Sequence, residues 1–446
     1  MSGPKIRIDP RTRLFEDDFS ANSMDLPGAG LAWLEAKRLT ALDVFSSIGV
    51  PTRRVEAWRY TDLAGALDGE LEPATPLRAE TEEIVGAGDT FAALMATRAV
   101  LLNGFLHYIG GTRLSEEIDI VDLSQLSART PEWVRQHLGE GAASKGQGMG
   151  AASLALMRGG LAVRVRAHAK GLSALHLRFI NPSRGQPLMS HTRVLIVLEE
   201  GAELDLLETH LGPSHEQVFA NSGIEFVLKK GARLNQVRVQ EEGAHTIHVA
   251  SLDARLEEGA EYNALLLNLG AHLSRVDMNI CLAAPSAEVS IAAITALGGE
   301  AAADVTTIVD HAAPATKSRQ LFKSIVGGRA RTISQGRVSV RKGAVKADSH
   351  QLFKALLLAP RAEAHAKPEL EIFADDVVCG HGTAIGTLDD DALFYLRSRG
   401  IPADEARRLL IRAFLGDAIA DFVSEDVRTA LWTRIDAALT DVEVTQ

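Results

Sequence analysis

In HAKPELEIFADDVVCGHGTAIG, His365 to Gly386, Cys379 stands two residues before His381, with Gly380, Gly382 and Gly386 around the pair. Thiolate and imidazole are side chains that hold soft and borderline transition metals. On an extended strand, residues two apart point to the same side, about 6.5 to 7 Å from one another, so both could face one ligand. Glycine serves where backbone turns sharply or where something approaches it closely. A buried structural cysteine beside a turn histidine is the ordinary alternative. The chain has only two cysteines, Cys281 and Cys379, which excludes a multi-disulfide framework and a self-contained four-cysteine zinc or iron-sulfur site. Any metal site must draw on histidines, carboxylates or a second chain.

Two further polar stretches carry candidate ligands. DHAAPATKSRQ, Asp310 to Gln320, places His311, Lys317, Ser318 and Arg319 around Pro314, and His350 and Gln351 precede LFKALLL. Polar ladders that satisfy backbone groups at corners compete with ligation as their role. EAWRYTDL, Glu56 to Leu63, clusters Trp58 and Tyr60 in a chain with few aromatics and reads as an anchoring point for the N-terminal part. The histidines of HTIH, His245 and His248, show only strand alternation.

The elements that must position these residues are strands. VLEEGAELDLLE around Gly201, VLKKGARLNQVRV around Gly231 and RLEEGAEYNALLL around Gly259 share two charges, Gly-Ala and alternating apolar residues, at intervals of about 30 and 28 residues. That interval fits one coil of a β-solenoid, in which a single unit cannot bury its inner face and stacked units can. An ordinary sandwich would show turns every 8 to 12 residues without the longer period. Before the strands, Leu31, Leu34, Leu39, Leu42 and Phe45 fall roughly at helical spacing, and GAASKGQGMGAAS, Gly141 to Ser153, has the composition of a flexible connector. The expected parts are a mainly helical region over 1–145, a β-solenoid over 146–387 and a helical region over 388–446. In the last, Asp389 to Asp391, Gly400 and Pro402 punctuate two helices, the second with Ala406, Leu409, Leu410, Ala413 and Phe414 on one face.

Composition narrows the function classes. A net charge of −11 disfavours binding to nucleic acid or an anionic membrane, and no run approaches the length of a membrane span. A soluble intracellular protein is expected. The chain lacks a P-loop, a G-x-S-x-G elbow, an H-E-x-x-H helix and a dinucleotide fingerprint, so it does not look self-sufficient as a catalyst. A β-helix carbohydrate-active enzyme would need paired carboxylates on one face; the adjacent Asp375 and Asp376 are expected on opposite sides of a strand.

DHAAPATKSRQLFKSIVGGRARTISQGRVSV, KADSHQ, AHAKPELEIFADDVVCGHGTAIG and DDDALFYLRSRGIPADEARRLL, with EAWRYTDL and LLNGF (Leu101 to Phe105), closely resemble the SufB/SufD family of iron-sulfur cluster assembly proteins, and its SufD branch best. The resemblance implies a right-handed parallel β-helix flanked by helices. It also implies a cytoplasmic, non-catalytic scaffold subunit that pairs with SufB and binds the ATPase SufC through its C-terminal helices. A transient iron-sulfur cluster shared with SufB would form at their interface, with His381 as the metal ligand from this chain, Cys379 beside it and no nucleotide bound here. SufB carries a Gln-Cys-Asp context and a Glu-His-Glu run, where this chain has Leu352 after Gln351 and glycines around His381. Phe353 and Ala355 stand where the resemblance would place polar residues.

Overall fold

The computed structural model describes residues 8–77, 88–112, 114–141, 148–182, 185–212, 217–419 and 421–444. Strands dominate, and they form a parallel β-solenoid of about seven turns. Each turn contributes one strand to each of two sheets, as with Val218–Leu228 and Arg233–Gln240, then Thr246–Leu256 and Glu261–Asn268. Alternation along each strand sends every second side chain inward. Ile224, Phe226 and Leu228 therefore lie in register with Leu252, Ala254 and Leu256, and these with Met278, Ile280 and Leu282. Fully burying one such aliphatic or aromatic side chain is worth roughly 1.5–3 kcal/mol, which a single unstacked coil could not realise.

The corner after each strand of the first sheet shows why the repeat is legible in only three copies. Gly201, Gly231 and Gly259 have φ near +63°, and each donates its N–H to the carbonyl of Lys230, Glu258 or Pro285 in the next coil. Ser286, Ala315, Lys346 and Asp376 occupy the same left-handed corner in later coils, with φ between 54° and 60°. That conformation costs a non-glycine residue roughly 1–2 kcal/mol, a strain the coil-to-coil hydrogen bonds offset. Asp375 and Asp376 thus sit at a corner, not on opposite sides of a strand as expected.

The two ends of the solenoid differ. At the first end, Phe105–Gly111 pairs antiparallel with Ala96–Leu102, and Ile118–Asp122 pairs antiparallel with Gly159–Val165. At the other end, Glu363–Ile372 and Val378–Gly386 are the outermost strands of their sheets, and among the described residues each pairs on one side only.

Helices cover the outer faces. Thr12–Asn22 and Ala32–Ile48 bring Phe15 and Phe45 against Met189 and Phe219 of the first sheet. In Ala32–Ile48 the buried stripe is Leu34, Arg38, Ala41 and Phe45, whereas Leu39 is half exposed. Arg38 is buried because it donates to the carbonyls of Leu154, Ala155 and Met157, which end the helix Gly148–Ala155. That helix is wholly buried and occupies part of the stretch expected to be a flexible connector; the boundary expected near residue 145 lies outside the described residues.

The two expected helices, Asp390–Ser398 and Ala403–Gly416, follow the solenoid, and among the described residues a third, Glu425–Val444, comes after them. Asp389 caps the first, accepting from the N–H groups of Asp391 and Ala392. The second buries Ala406, Ile411 and Leu415, one step round from the expected face, and leaves Leu409 43% exposed. It packs with the third helix, through Leu431, Ile435 and Leu439, on Ile294 and Ile325 of the second sheet. Lys323 holds the end of the second helix by donating to the Phe414 carbonyl and pairing with Asp417.

EAWRYTDL is the fastening of the N-terminal region. Trp58 lies 3.9 Å over the Arg275 guanidinium, which is bound to Asp277 and Asp304; Thr61 donates to the same Asp304, and Tyr60 stacks on His365 at 5.0 Å. Replacing Arg275 by Leu leaves two buried carboxylates uncompensated. It should destabilise the fold by about 3–5 kcal/mol, and trypsin should cleave faster at Arg53, Arg54 and Arg59, both read by thermal unfolding with limited proteolysis.

Candidate functional site at the open end of the solenoid

The last strand, Val378–Gly386, starts directly after the Asp376 corner and lies in register with Asp348–Leu357, pairing Cys379 with Ser349 and His381 with Gln351. Cys379 packs against the interior cluster, so its side of the strand faces the lumen. His381, two residues on, shares that side. The thiol is half-buried, whereas His381 is exposed because no further coil covers it among the described residues. Burial pushes the Cys379 thiol up, against a backbone hydrogen bond at Ser349 that lowers it. The pair is thus a half-covered thiol and an open imidazole at the lumen's mouth.

The glycines around the pair do not turn the chain. Gly380, Gly382 and Gly386 lie in the strand, outside the left-handed region. Gly380 and Gly382 face outward, leaving bare backbone between the ligand candidates. A Cβ at Gly382 would come within 3.2 Å of Leu352 Cδ1, whereas one at Gly380 would meet only His350 Cδ2, at 3.8 Å. Of the two explanations for glycine, close approach is the one this strand permits.

The other candidates stand apart. His311 is buried at a corner, where Nδ1 hydrogen-bonds Thr316 and Nε2 hydrogen-bonds Ser318. Ser318 in turn donates to Ser349 at 2.7 Å, so His311 anchors a chain of hydroxyls that ends beneath Cys379. His350 faces outward and pairs with Asp348 at 3.1 Å. Phe353 stacks on Phe322, with ring centroids 4.8 Å apart, which gives that side chain a purely interior role.

One buried group escaped the reading of strand alternation. His210, Glu242 and His248 present ligand-type atoms within 4.8 Å of one another. Arg238 lies among them, its Nε 3.1 Å from His210 Nε2 and its Nη2 2.5 Å from His248 Nε2. Arginine only donates, so both imidazole nitrogens must accept, and His248 Nδ1 is left to donate to Glu242. The lone pairs a metal would need are therefore spent on a cation the chain supplies itself.

Two family models match the chain. One, described as SUF system FeS cluster assembly, SufBD core domain, covers residues 179–414, more than half of the chain. The chain belongs to the SufB/SufD family. The second, the SufBD protein N-terminal region, matches residues 12–175. Similar proteins include the chloroplastic protein ABCI7 of Arabidopsis thaliana, 29% identical over 93% of this chain and 86% of that one. The iron-sulfur cluster assembly protein SufD of Escherichia coli is 27% identical over 88% and 90%. A SufBD family protein of Mycobacterium leprae is 26% identical over 93% and 97%. These matches span the solenoid and the N-terminal region alike.

The buried histidines set an acid limit on the fold. Burial lowers His176 to about 4, His311 to about 4 and His191 to about 3, so the unfolded chain binds more protons than the folded one below pH 6.5. The stability from keeping these rings neutral is complete above 6.5. It should fall as pH drops from about 6.5 toward 4, with a shallower fall in His311→Gln, measured as the unfolding midpoint against pH. Arg238→Met removes the cation that bridges the buried network and should cost about 3–5 kcal/mol in the same assay.

Proposed function

We propose that this chain is the SufD-type, non-catalytic scaffold subunit of an iron-sulfur cluster assembly complex in the cytoplasm. The open end of the solenoid pairs with a SufB subunit, and a transient iron-sulfur cluster is assembled across that junction as the complex's product. His381 is the metal ligand from this side, and Cys379 is the adjoining thiol. The observation that carries this reading is the exposure of His381, facing the lumen, on an outermost strand whose glycines leave room for a second chain. Imidazole suits iron, and a single such ligand needs the remaining donors from elsewhere.

The C-terminal helices, 388–446, carry a second contact on this reading. Phe394 is 73% exposed, Tyr395 56% and Leu409 43%, a group of large side chains turned away from the solenoid. A SufC ATPase docked there would bring nucleotide to the complex without a nucleotide site on this chain. The regions 1–145 and 146–387 serve as brace and scaffold. Among the described residues no helix is long and apolar enough to cross a membrane.

His381→Ala in the reconstituted complex should cut cluster formation on the partner at least tenfold, read by visible absorption and acid-labile sulfide, without lowering the unfolding midpoint. Undiminished assembly would sink the ligand assignment. A complex that copurifies intact yet never holds iron or sulfide would favour a purely structural subunit. Phe394→Glu with Leu409→Glu should abolish capture of the ATPase subunit in a pull-down while leaving pairing with SufB intact.

A further inference from the structure

Three columns of inward side chains run up the second sheet to its open end. Ser318, Ser349 and Cys379 form one, Gln320, Gln351 and His381 the next, and Phe322, Phe353 and Thr383 the third. The serine column is satisfied through His311 and the Ser318–Ser349 hydrogen bond, and the phenylalanine column by ring stacking. The glutamine column is not. Among the described residues, Gln320 Oε1 accepts from Thr307 at 2.6 Å while its Nε2 has no partner, and in Gln351, which is only 2% exposed, neither the carboxamide oxygen nor the nitrogen has a hydrogen-bond partner.

Gln351 is also held in place at some cost to its surroundings. On the facing wall, a Cβ at Gly336 would lie 2.6 Å from Gln351 Nε2 and 2.8 Å from Phe353 Cζ, so the lumen is cleared of a side chain where the carboxamide lies. A buried polar group without a partner costs roughly 1–3 kcal/mol, and a leucine of similar size would avoid that cost. One rung above, about 4.8 Å along the sheet, is His381. By that register, anything held by His381 and Cys379 at the lumen's mouth would lie on the rung next to the carboxamide.

We propose that Gln351 is a third contact of the His381 site, its Nε2–H donating a hydrogen bond to a sulfide or thiolate sulfur of the iron species held there. The inference rests on the reading of His381 as a cluster ligand. A neutral carboxamide suits the position because it offers donors without bringing a charge into the lumen, where an uncompensated charge would be costly. Hydrogen bonds to the sulfurs also tune a cluster's reduction potential, by drawing off charge and favouring the reduced state.

The test uses the full-length chain in its complete assembly complex, given ferrous iron and sulfide under reducing conditions. Gln351→Leu should fold with an unchanged or raised unfolding midpoint, yield about tenfold less cluster, and give the remaining cluster a more negative reduction potential. Gln351→Met, close in size and without an N–H or O–H donor, should fail alike. Wild-type yield and potential in Gln351→Leu, with His381→Ala impaired, would mean that the carboxamide serves only a buried water and would overturn this proposal alone. Loss of midpoint and yield in parallel in Gln351→Leu would make its role structural and overturn it too. Wild-type yield in both Gln351→Leu and His381→Ala would bring down the His381 assignment and this inference together.

Discussion

Backbone pairing between successive coils is the interaction on which the rest of this protein depends. Each strand inside the stack is satisfied by the coil before it and the coil after it, and the left-handed corner N–H groups of Gly201, Gly231, Gly259, Ser286, Ala315 and Lys346 reach the next corner's carbonyl. Register then does the remaining work, because it decides which side chains meet. Serine lies on serine, phenylalanine on phenylalanine, and Gln351 under His381. Such a ladder has no internal reason to stop, so its ends need separate treatment. Antiparallel strands close the first end; at the last, the outermost strands keep hydrogen-bonding capacity and carry the candidate ligands.

That asymmetry gives the candidate site its chemical character. Cys379 gains shelter from the coil below it, which raises its thiol, while His381 remains open to solvent. A metal bound there would find one imidazole available and one thiol partly withdrawn. Deeper in the lumen the opposite holds. Around Arg238 the imidazoles of His210 and His248 are used as hydrogen-bond acceptors for the guanidinium. Histidine type and proximity alone would have ranked that buried group above the open end.

Much of the solenoid was legible because glycine marks the left-handed corner in three consecutive coils and the flanking residues alternate. The trace faded where Ser286, Ala315, Lys346 and Asp376 take the same corner, since strain met by hydrogen bonding leaves no mark in residue type. The Cys379 and His381 pair was legible from spacing alone, and its shared face followed from strand geometry. The Arg238 network was not, because its members lie 28 and 10 positions from the arginine and meet only through coil stacking. Helix faces were displaced for a related reason: Arg38 occupies a core position by donating to carbonyls at the end of another helix, and Ala403–Gly416 turns Ile411 and Leu415 inward to pack with Glu425–Val444 on the second sheet.

The fastening of Trp58, Thr61 and Tyr60 onto Arg275, Asp304 and His365 also sets an order of events during synthesis. Residues made early have partners that are made more than 200 positions later. Chains emerge at roughly 5–20 residues per second, so the N-terminal segment spends on the order of ten seconds or more without its docking surface. Its aromatic side chains are exposed during that interval. Completion of the solenoid, whose coils can be added one upon another as they emerge, ends the exposure and ties the beginning of the chain to its last coil.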